Sequence, residues 1–268
     1  MEKINREEFG QLVDYMKEKY GIDLGKKLAL VEGRLWTVIR RKGFSTLGEY
    51  FRFVKSDTTG AEADTLITRL TTNYTFFCRE DQHYRFVSET ILPSLANKLP
   101  DRDLRIWSAG CSSGEEPYTI AMVIDSFFGK SKSSWDAKIL ATDISPLMLS
   151  RAREALYGDD RIRDVPSDWL EKYFVREGGQ YRVVEAIRNE VILRPFNLME
   201  KQLPFKKKFH VIFCRNVMIY FDKQTRIALV NRFYNALESG GYFFIGMSET
   251  LAKDETHFNM IHPSIYRK

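Results

Sequence analysis

The text of this chain changes character near residue 103, and that change limits the fold more than any other feature. Beyond it, short apolar runs alternate with helical stretches. The runs are Leu-Arg-Ile-Trp-Ser-Ala (104–109), Lys-Ile-Leu-Ala-Thr (138–142), Val-Ile-Leu-Arg (191–194), Phe-His-Val-Ile-Phe-Cys (209–214) and Tyr-Phe-Phe-Ile (242–245). Strands this apolar, separated by helices, build a parallel sheet covered on both faces. A helix follows the first run as far as about Phe128, and Ser145-Pro146 opens another, with serine as cap and proline in the first turn. Ahead of residue 103 only helical spacing is visible. Phe9, Leu12, Val13, Met16 and Tyr20 share a face, and Gly21 can end that helix. Further helices are predicted over 26–42, 46–55 and 60–71. Residues 173–175 and 181–184, around Glu177-Gly178-Gly179-Gln180, predict a small hairpin inserted into the α/β plan. The expected organisation is a helical domain over 1–72, a linker or lid with a connecting helix over 73–100, and an α/β domain over 101–268 with the hairpin subdomain at about 172–186.

Composition narrows the function. Of 268 residues, 44% are hydrophobic and 29% charged, a mixture that can bury a core. Lys plus Arg number 41 against 36 Asp plus Glu, so the net charge of +5 permits an acidic partner but falls far short of a nucleic-acid coat. Cys78, Cys111 and Cys214 are odd in number and form no C-x-x-C, which disfavours a disulfide framework or a zinc site. His83, His210, His257 and His262 show no ligand spacing, so no metal is expected. No run nears the ~18 apolar residues of a membrane span. The first residues lack an apolar signal core, and Glu2 breaks the N-myristoylation pattern. The chain reads as soluble and cytoplasmic.

Ser108-Ala109-Gly110-Cys111-Ser112-Ser113-Gly114 follows the first strand and opens a helix. In open α/β sheets ligands bind there, and glycine lets the backbone approach them closely. A tight turn with no ligand would use the same glycines. The next residues are Glu115 and Glu116, with no lysine or arginine, although helix amino termini ordinarily attract phosphate. A nucleoside triphosphate or pyrophosphate is therefore disfavoured. S-adenosylmethionine, with a sulfonium, an ammonium and no phosphate, fits better. A capping box from Ser113 to Glu116 is the bland alternative. It would put Pro117 at the fourth helical position, where its missing N–H leaves a carbonyl unpartnered. Asp143 ends the second strand, where an acidic residue can accept both ribose hydroxyls of an adenosine or simply help cap the helix at Ser145.

Two more segments carry chemistry. Leu70-Thr71-Thr72-Asn73-Tyr74-Thr75-Phe76-Phe77-Cys78-Arg79-Glu80 is either a packed linker or a lid with Asn73, Thr75 and Arg79 facing a ligand. Arg79 has the planar fork that grips a carboxylate. Phe213-Cys214-Arg215-Asn216-Val217-Met218-Ile219-Tyr220-Phe221 leaves a strand end where catalytic groups collect. Its Asn216 and Tyr220 look like a degenerate Asn-Pro-Pro-Tyr signature of amino-group methyltransferases. Both prolines are missing, which counts against a base or amine acceptor, and Tyr220 could also be a buried aromatic.

Together with Ala-Thr-Asp-Ile (141–144) and Gly246-Met247-Ser248-Glu249, these segments resemble the bacterial chemotaxis receptor methyltransferases, the CheR family, over nearly the whole chain. The resemblance implies a Rossmann-like S-adenosylmethionine-dependent methyltransferase sheet with an inserted small β-subdomain, preceded by an all-α N-terminal domain. It implies methylation of glutamate side chains on the cytoplasmic helices of chemoreceptors, with S-adenosylhomocysteine as product. By motif match, the cofactor would be held by Asn73, Thr75, Arg79, Gly110, Glu116, Asp143, Asn197, Leu198, Arg215 and Asn216. Arg79 and Tyr220 fall at the positions the family uses at the methyl-transfer site. The hairpin turn Glu177–Gln180 is shorter than the loop with which some members dock a receptor's C-terminal pentapeptide, so such tethering is not expected here. No nucleic-acid partner and no membrane insertion are expected, and a monomer is. The alternatives are a methyltransferase for nucleic acid or a small molecule, and a non-catalytic adaptor that binds the cofactor.

Lys27, Arg34 and Arg41 recur every seven residues and so line one side of the second helix, widened by Lys26 and Arg40. Six basic residues stand against one acidic, Glu32, between 26 and 42. Lys27, Arg34, Arg40 and Arg41 are the expected receptor contacts, unless the face is merely solvated. Charge reversal at Arg34 and Arg41 is then expected to weaken receptor methylation without changing cofactor affinity.

Overall fold

The computed structural model describes residues 4–268. Four helices come first: α1 (Arg6–Tyr20), α2 (Leu28–Arg41), α3 (Leu47–Ser56) and α4 (Ala61–Leu70). Local chemistry sets their ends. Asn5 accepts the Glu7 amide ahead of α1, and Gly21, at φ 72°, ends it. Thr46 and Glu49 form a reciprocal capping box at α3. Leu12, Met16, Val31, Leu35, Tyr50 and Leu66 build a separate core for this bundle, against which Ile144, Tyr220 and Phe221 of the second half also pack. A continuous helical rod of α5 (Gln82–Phe86), a π-helical turn (Val87–Ile91) and α6 (Leu92–Lys98) leads into the sheet.

The main sheet contains β1 (Ile106–Ala109), β2 (Ile139–Asp143), β6 (Val191–Pro195), β7 (Phe209–Cys214), β8 (Leu237–Ile245), β9 (Asn259–His262) and β10 (Ile265–Arg267), in the order β6-β2-β1-β7-β8-β10-β9. The first five run parallel. The last two pair antiparallel at the edge, so the expected all-parallel sheet is in fact mixed. That final hairpin escapes notice in the sequence because β9 is exposed at all four positions and shows no alternation. Helix α7 (Glu115–Phe128) connects β1 to β2, and α8 (Pro146–Glu154) follows β2. The chain then crosses from β6 at one edge back to β7, beside β1. This reversal of strand order opens a crevice at the carboxyl ends of β1, β2 and β7.

The predicted hairpin is β4 (Phe174–Glu177) with β5 (Gln180–Val183), and it carries a third strand that the sequence did not suggest, β3 (Leu156–Tyr157). Two residues are too few to show strand periodicity. Trp107 on β1 is fully buried, and its indole N–H donates to Thr142 on β2 at 2.9 Å. This fixes the two strands that present the glycine turn and Asp143.

Candidate active site

The chain leaves β1 through a turn whose backbone suits few residues. Gly110 lies at φ 87°, and a β-carbon there would sit 2.5 Å from a methyl of Val217. The amides of Gly110 and Cys111 both donate to the Thr142 carbonyl, at 2.8 and 2.9 Å, tying the turn to the end of β2. Helix α7 begins one residue later than a Ser113 cap would require, with Gly114 as N-cap. Pro117 thereby falls in the first turn, where an N–H is not needed, and no capping box forms. The Ser113 hydroxyl donates instead to the Glu115 carboxylate at 2.7 Å, and Arg161 approaches it at 3.3 Å.

Glu115 is fully buried, and burial raises its pKa to about 7 against the pull of Ser113 and Arg161. A carboxyl raised in the folded state contributes stability that is complete below its unfolded pKa and is lost as pH rises through the folded one. Thermal melts of the wild type are therefore expected to lose about 3 kcal/mol of stability between pH 4.5 and 8 from this group. Glu115→Gln should flatten that slope. Parallel pH profiles of the two proteins would refute the assignment.

Glu116 turns the other way, into the crevice. Its carboxylate accepts from Ser108 at 2.7 Å and from the Arg215 guanidinium at 3.1 Å. Arg215 also donates to Glu80 at 3.0 Å, to the Tyr84 hydroxyl at 2.8 Å and to the Arg79 carbonyl. Burial alone would lower the Arg215 pKa, but Tyr84, Glu116 and Glu80 outweigh it and keep the guanidinium charged. Burial also raises the Glu116 pKa, opposed by Arg215 and Ser108. Two carboxylates thus share one cation, and the wall of the crevice stays electron-rich. Asp143 is buried on the opposite side. It accepts the amides of Ser112 at 2.7 Å and Ser145 at 2.9 Å, while burial pushes its pKa up. Ser145, not Asp143, caps α8 through the Met148 amide.

Glu116, Arg215, Tyr84 and Asp143 line one cavity of about 300 Å³, at the small end for a ligand site. All ten residues proposed for the cofactor lie on its wall, as does Tyr220. Several are already engaged within the protein. The Asn73 amide donates to Thr68 and accepts from Thr71. The Asn197 amide donates to the Lys19 carbonyl and accepts from Met199. Their side chains are thereby fixed as part of the wall. Arg79, on the cavity wall, donates one side-chain hydrogen bond, to the Tyr74 carbonyl at 3.3 Å, and lies 3.9 Å from Glu80, so donors of its fork stay unused.

Sequence reasoning did not find Glu80, Tyr84, Ser108 or the role of Glu249. Glu249 accepts the amides of Gly246, Asn216 and Ile219 at 2.6, 2.7 and 3.2 Å. The only local signal was its place in Gly-Met-Ser-Glu. Of the basic face, Arg34 is committed to the carbonyls of Leu70 and Thr71 and the Thr72 hydroxyl, at 3.1, 2.9 and 2.9 Å. Arg40 packs over Trp36, and Arg41 is exposed. Thr71 and Thr72 line the cavity, so reversing Arg34 would also disturb the pocket, and Arg41 is the cleaner probe.

The cavity offers carboxylates where a phosphate site would offer cations, a glycine turn that admits close approach, and an acidic side chain at the end of β2. That donor set suits a cationic adenosine compound and defines a cofactor-binding methyltransferase of the Rossmann-like class. The family models and the relatives by sequence agree. Residues 73–266 match the CheR methyltransferase SAM-binding domain, and residues 7–71 match the CheR methyltransferase all-alpha domain. A chemotaxis protein methyltransferase of Borreliella burgdorferi is 40% identical over 99% of this chain and 95% of its own length. Those of Pseudomonas putida (Cher2) and Escherichia coli are each 34% identical over 96% of this chain, covering 95% and 89% of theirs. A solved glycopeptide N-methyltransferase, MtfA with S-adenosylmethionine, shares 14% identity over 59% of this chain and 53% of its own, at a TM-score of 0.32. The chain belongs to the CheR methyltransferase family and uses S-adenosylmethionine as its methyl donor.

Asp143→Ala is expected to weaken S-adenosylhomocysteine binding at least ~30-fold, about 2 kcal/mol, because the Ser112 and Ser145 amides lose a shared buried acceptor. Calorimetry would show it. Affinity within threefold of wild type would mean that Asp143 does not organise the site.

Proposed function

We propose that this protein transfers the methyl group of S-adenosylmethionine to glutamate carboxylates on the cytoplasmic helices of chemoreceptors, acting as a monomer. The observation that carries this reading is the lack of a free base in the cavity among the described residues. No histidine lines the cavity, and its two buried carboxylates, Glu116 and Asp143, are both occupied by hydrogen bonds. An acceptor must then arrive already ionised. Glutamate, with a pKa near ~4.3, does so as a nucleophilic anion at neutral pH, whereas an alkyl amine arrives protonated and needs a base to free its lone pair. When bound, S-adenosylmethionine supplies a methyl group on a positively charged sulfur.

The protein's share is orientation and the exclusion of water from a weak, strongly solvated nucleophile. Glu116 and Asp143 hold the cofactor, Arg79 acts at its methyl-donating end, and Tyr220 orients the acceptor. The exposed Arg40 and Arg41 on α2 attract an acidic receptor helix. The two-residue turn between β4 and β5 leaves no long loop for a tethering peptide. Radiolabelled S-adenosylmethionine mixed with receptor cytoplasmic fragments should yield label that leaves as methanol in base, which marks a carboxyl ester. Arg79→Ala and Tyr220→Phe are each expected to lower turnover at least ~10-fold. Base-stable label, or full turnover in both variants, would overturn the reading.

A further inference from the structure

The helical domain does more than lie beside the pocket. Its α1–α2 loop is fastened to the turn that carries Tyr220. The Asp23 amide donates to the Tyr220 carbonyl at 2.8 Å, and Ile22 forms an antiparallel bridge with Phe221. Lys27 places its ammonium 5.1 Å from the centre of the Tyr220 ring, within cation–π range. Next to that turn, Lys17 pairs with Asp222 at 2.9 Å, and the Lys19 carbonyl takes the Asn197 amide at 2.8 Å. Gly21 makes the approach possible. It sits at φ 72°, and a β-carbon there would overlap the Met199 sulfur and lie 3.1 Å from Thr225. Tyr20 and Ile22 themselves line the cavity.

We propose that the Gly21–Lys27 loop is a working part of the methyl-transfer site, and that it positions Tyr220 from the helical domain. This rests on the reading that Tyr220 takes part in transfer. The turn holding Tyr220 is a single short 3₁₀ segment, Met218–Tyr220, with no long element of its own to fix it. Main-chain bonding from the loop fixes its backbone, and Lys27 fixes the ring. A lysine in that place serves a second end, because it meets the acceptor carboxylate next to the tyrosine. The helical domain thus completes a site whose other walls come from the sheet.

Asp23→Pro removes the donated N–H and suits the extended backbone of Ile22 before it, whereas Asp23→Ala keeps the N–H. Lys27→Met removes the cation over the ring, and Lys27→Arg restores one. Turnover on receptor fragments, receptor KM, S-adenosylhomocysteine affinity and melting temperature should be measured for all four, with Tyr220→Phe alongside. Asp23→Pro and Lys27→Met are expected to lower kcat at least tenfold with cofactor affinity within threefold of wild type. Asp23→Ala and Lys27→Arg should keep at least half of kcat. If Asp23→Pro fails to fold, the Lys27 pair decides alone. Both loop variants turning over at wild-type rate while Tyr220→Phe is impaired would overturn the proposal and leave the role of Tyr220 standing. So would a Lys27→Met that raises only receptor KM. Full activity in Tyr220→Phe would instead remove the reading on which the proposal rests.

Discussion

Arg215→Met is expected to weaken cofactor binding at least ~100-fold and lower the melting temperature on the order of 10 °C. The guanidinium is almost completely shielded from solvent and stands between Glu80 and Glu116, at 3.0 and 3.1 Å. Removing the cation leaves buried Glu116 without a counter-charge and Glu80 with only the Arg79 guanidinium, 3.9 Å away. Breaking a buried pair in this way costs about 3–5 kcal/mol, and in a domain of this size each kcal/mol is worth roughly 2–4 °C. The Glu116 carboxyl then gains most by taking up a proton. Its folded pKa, already raised by burial, rises further, so the deficit should shrink as pH falls toward the ordinary carboxylate range. A protonated Glu116 no longer attracts a cationic ligand, so, on the proposal that Glu116 holds the cofactor, S-adenosylhomocysteine, which carries an ammonium, should lose at least ~100-fold in affinity. Arg215→Lys keeps the charge but cannot reach Glu80, Glu116 and Tyr84 at once, so it should fall between the two. Calorimetry and melts over pH 5–8 test all three claims. An Arg215→Met protein that melts like wild type and binds within threefold of it would show that the network carries no weight.

The parts of this site that could be read in advance are those whose chemistry is local. Gly110, Gly114 and the two glutamates after them announce an unusual ligand because their conformations and charges are decided within seven residues. The same holds for Asp143 at a strand end and for the helix caps. The unseen parts depend on distance along the chain. Glu80 meets Arg215 across 135 residues, and Tyr84 meets it across 131. No periodicity connects such pairs, so a glutamate in a linker reads as solvated until the fold closes on it. The commitment of Arg34 to the end of α4 was hidden for the same reason. A seven-residue spacing shows which side of a helix a residue occupies but not what lies against that side. β3 and β9 failed for a different cause, since a two-residue strand and a fully exposed one lack the apolar alternation by which strands are recognised.

Glu249 should produce the second large effect, although it is not among the residues that line the cavity. Its carboxylate collects three backbone amides, those of Gly246, Asn216 and Ile219. Asn216 is held at φ 58°, a left-handed conformation uncommon for residues other than glycine and tolerated best by asparagine. Gly246 lies so close that a β-carbon there would sit 2.9 Å from the Asn216 backbone nitrogen. The carboxylate is therefore what turns the chain from β7 toward Tyr220. Charge-assisted bonds of this kind contribute about 1.5–3 kcal/mol each, not fully additively. Glu249→Ala is expected to lower kcat/KM for receptor fragments at least ~100-fold, and Glu249→Gln, which keeps one acceptor oxygen, by about a tenth of that factor. Burial raises the pKa of Glu249 against the pull of its amide donors. Acid should accordingly disable the clamp above the ordinary carboxylate range, so wild-type kcat falls as pH drops and Glu249→Gln lacks that part of the fall. Glu249→Ala retaining a third of wild-type kcat/KM, or a glutamine variant with an unaltered acid limb, would mean that the Asn216–Tyr220 turn keeps its shape without the carboxylate.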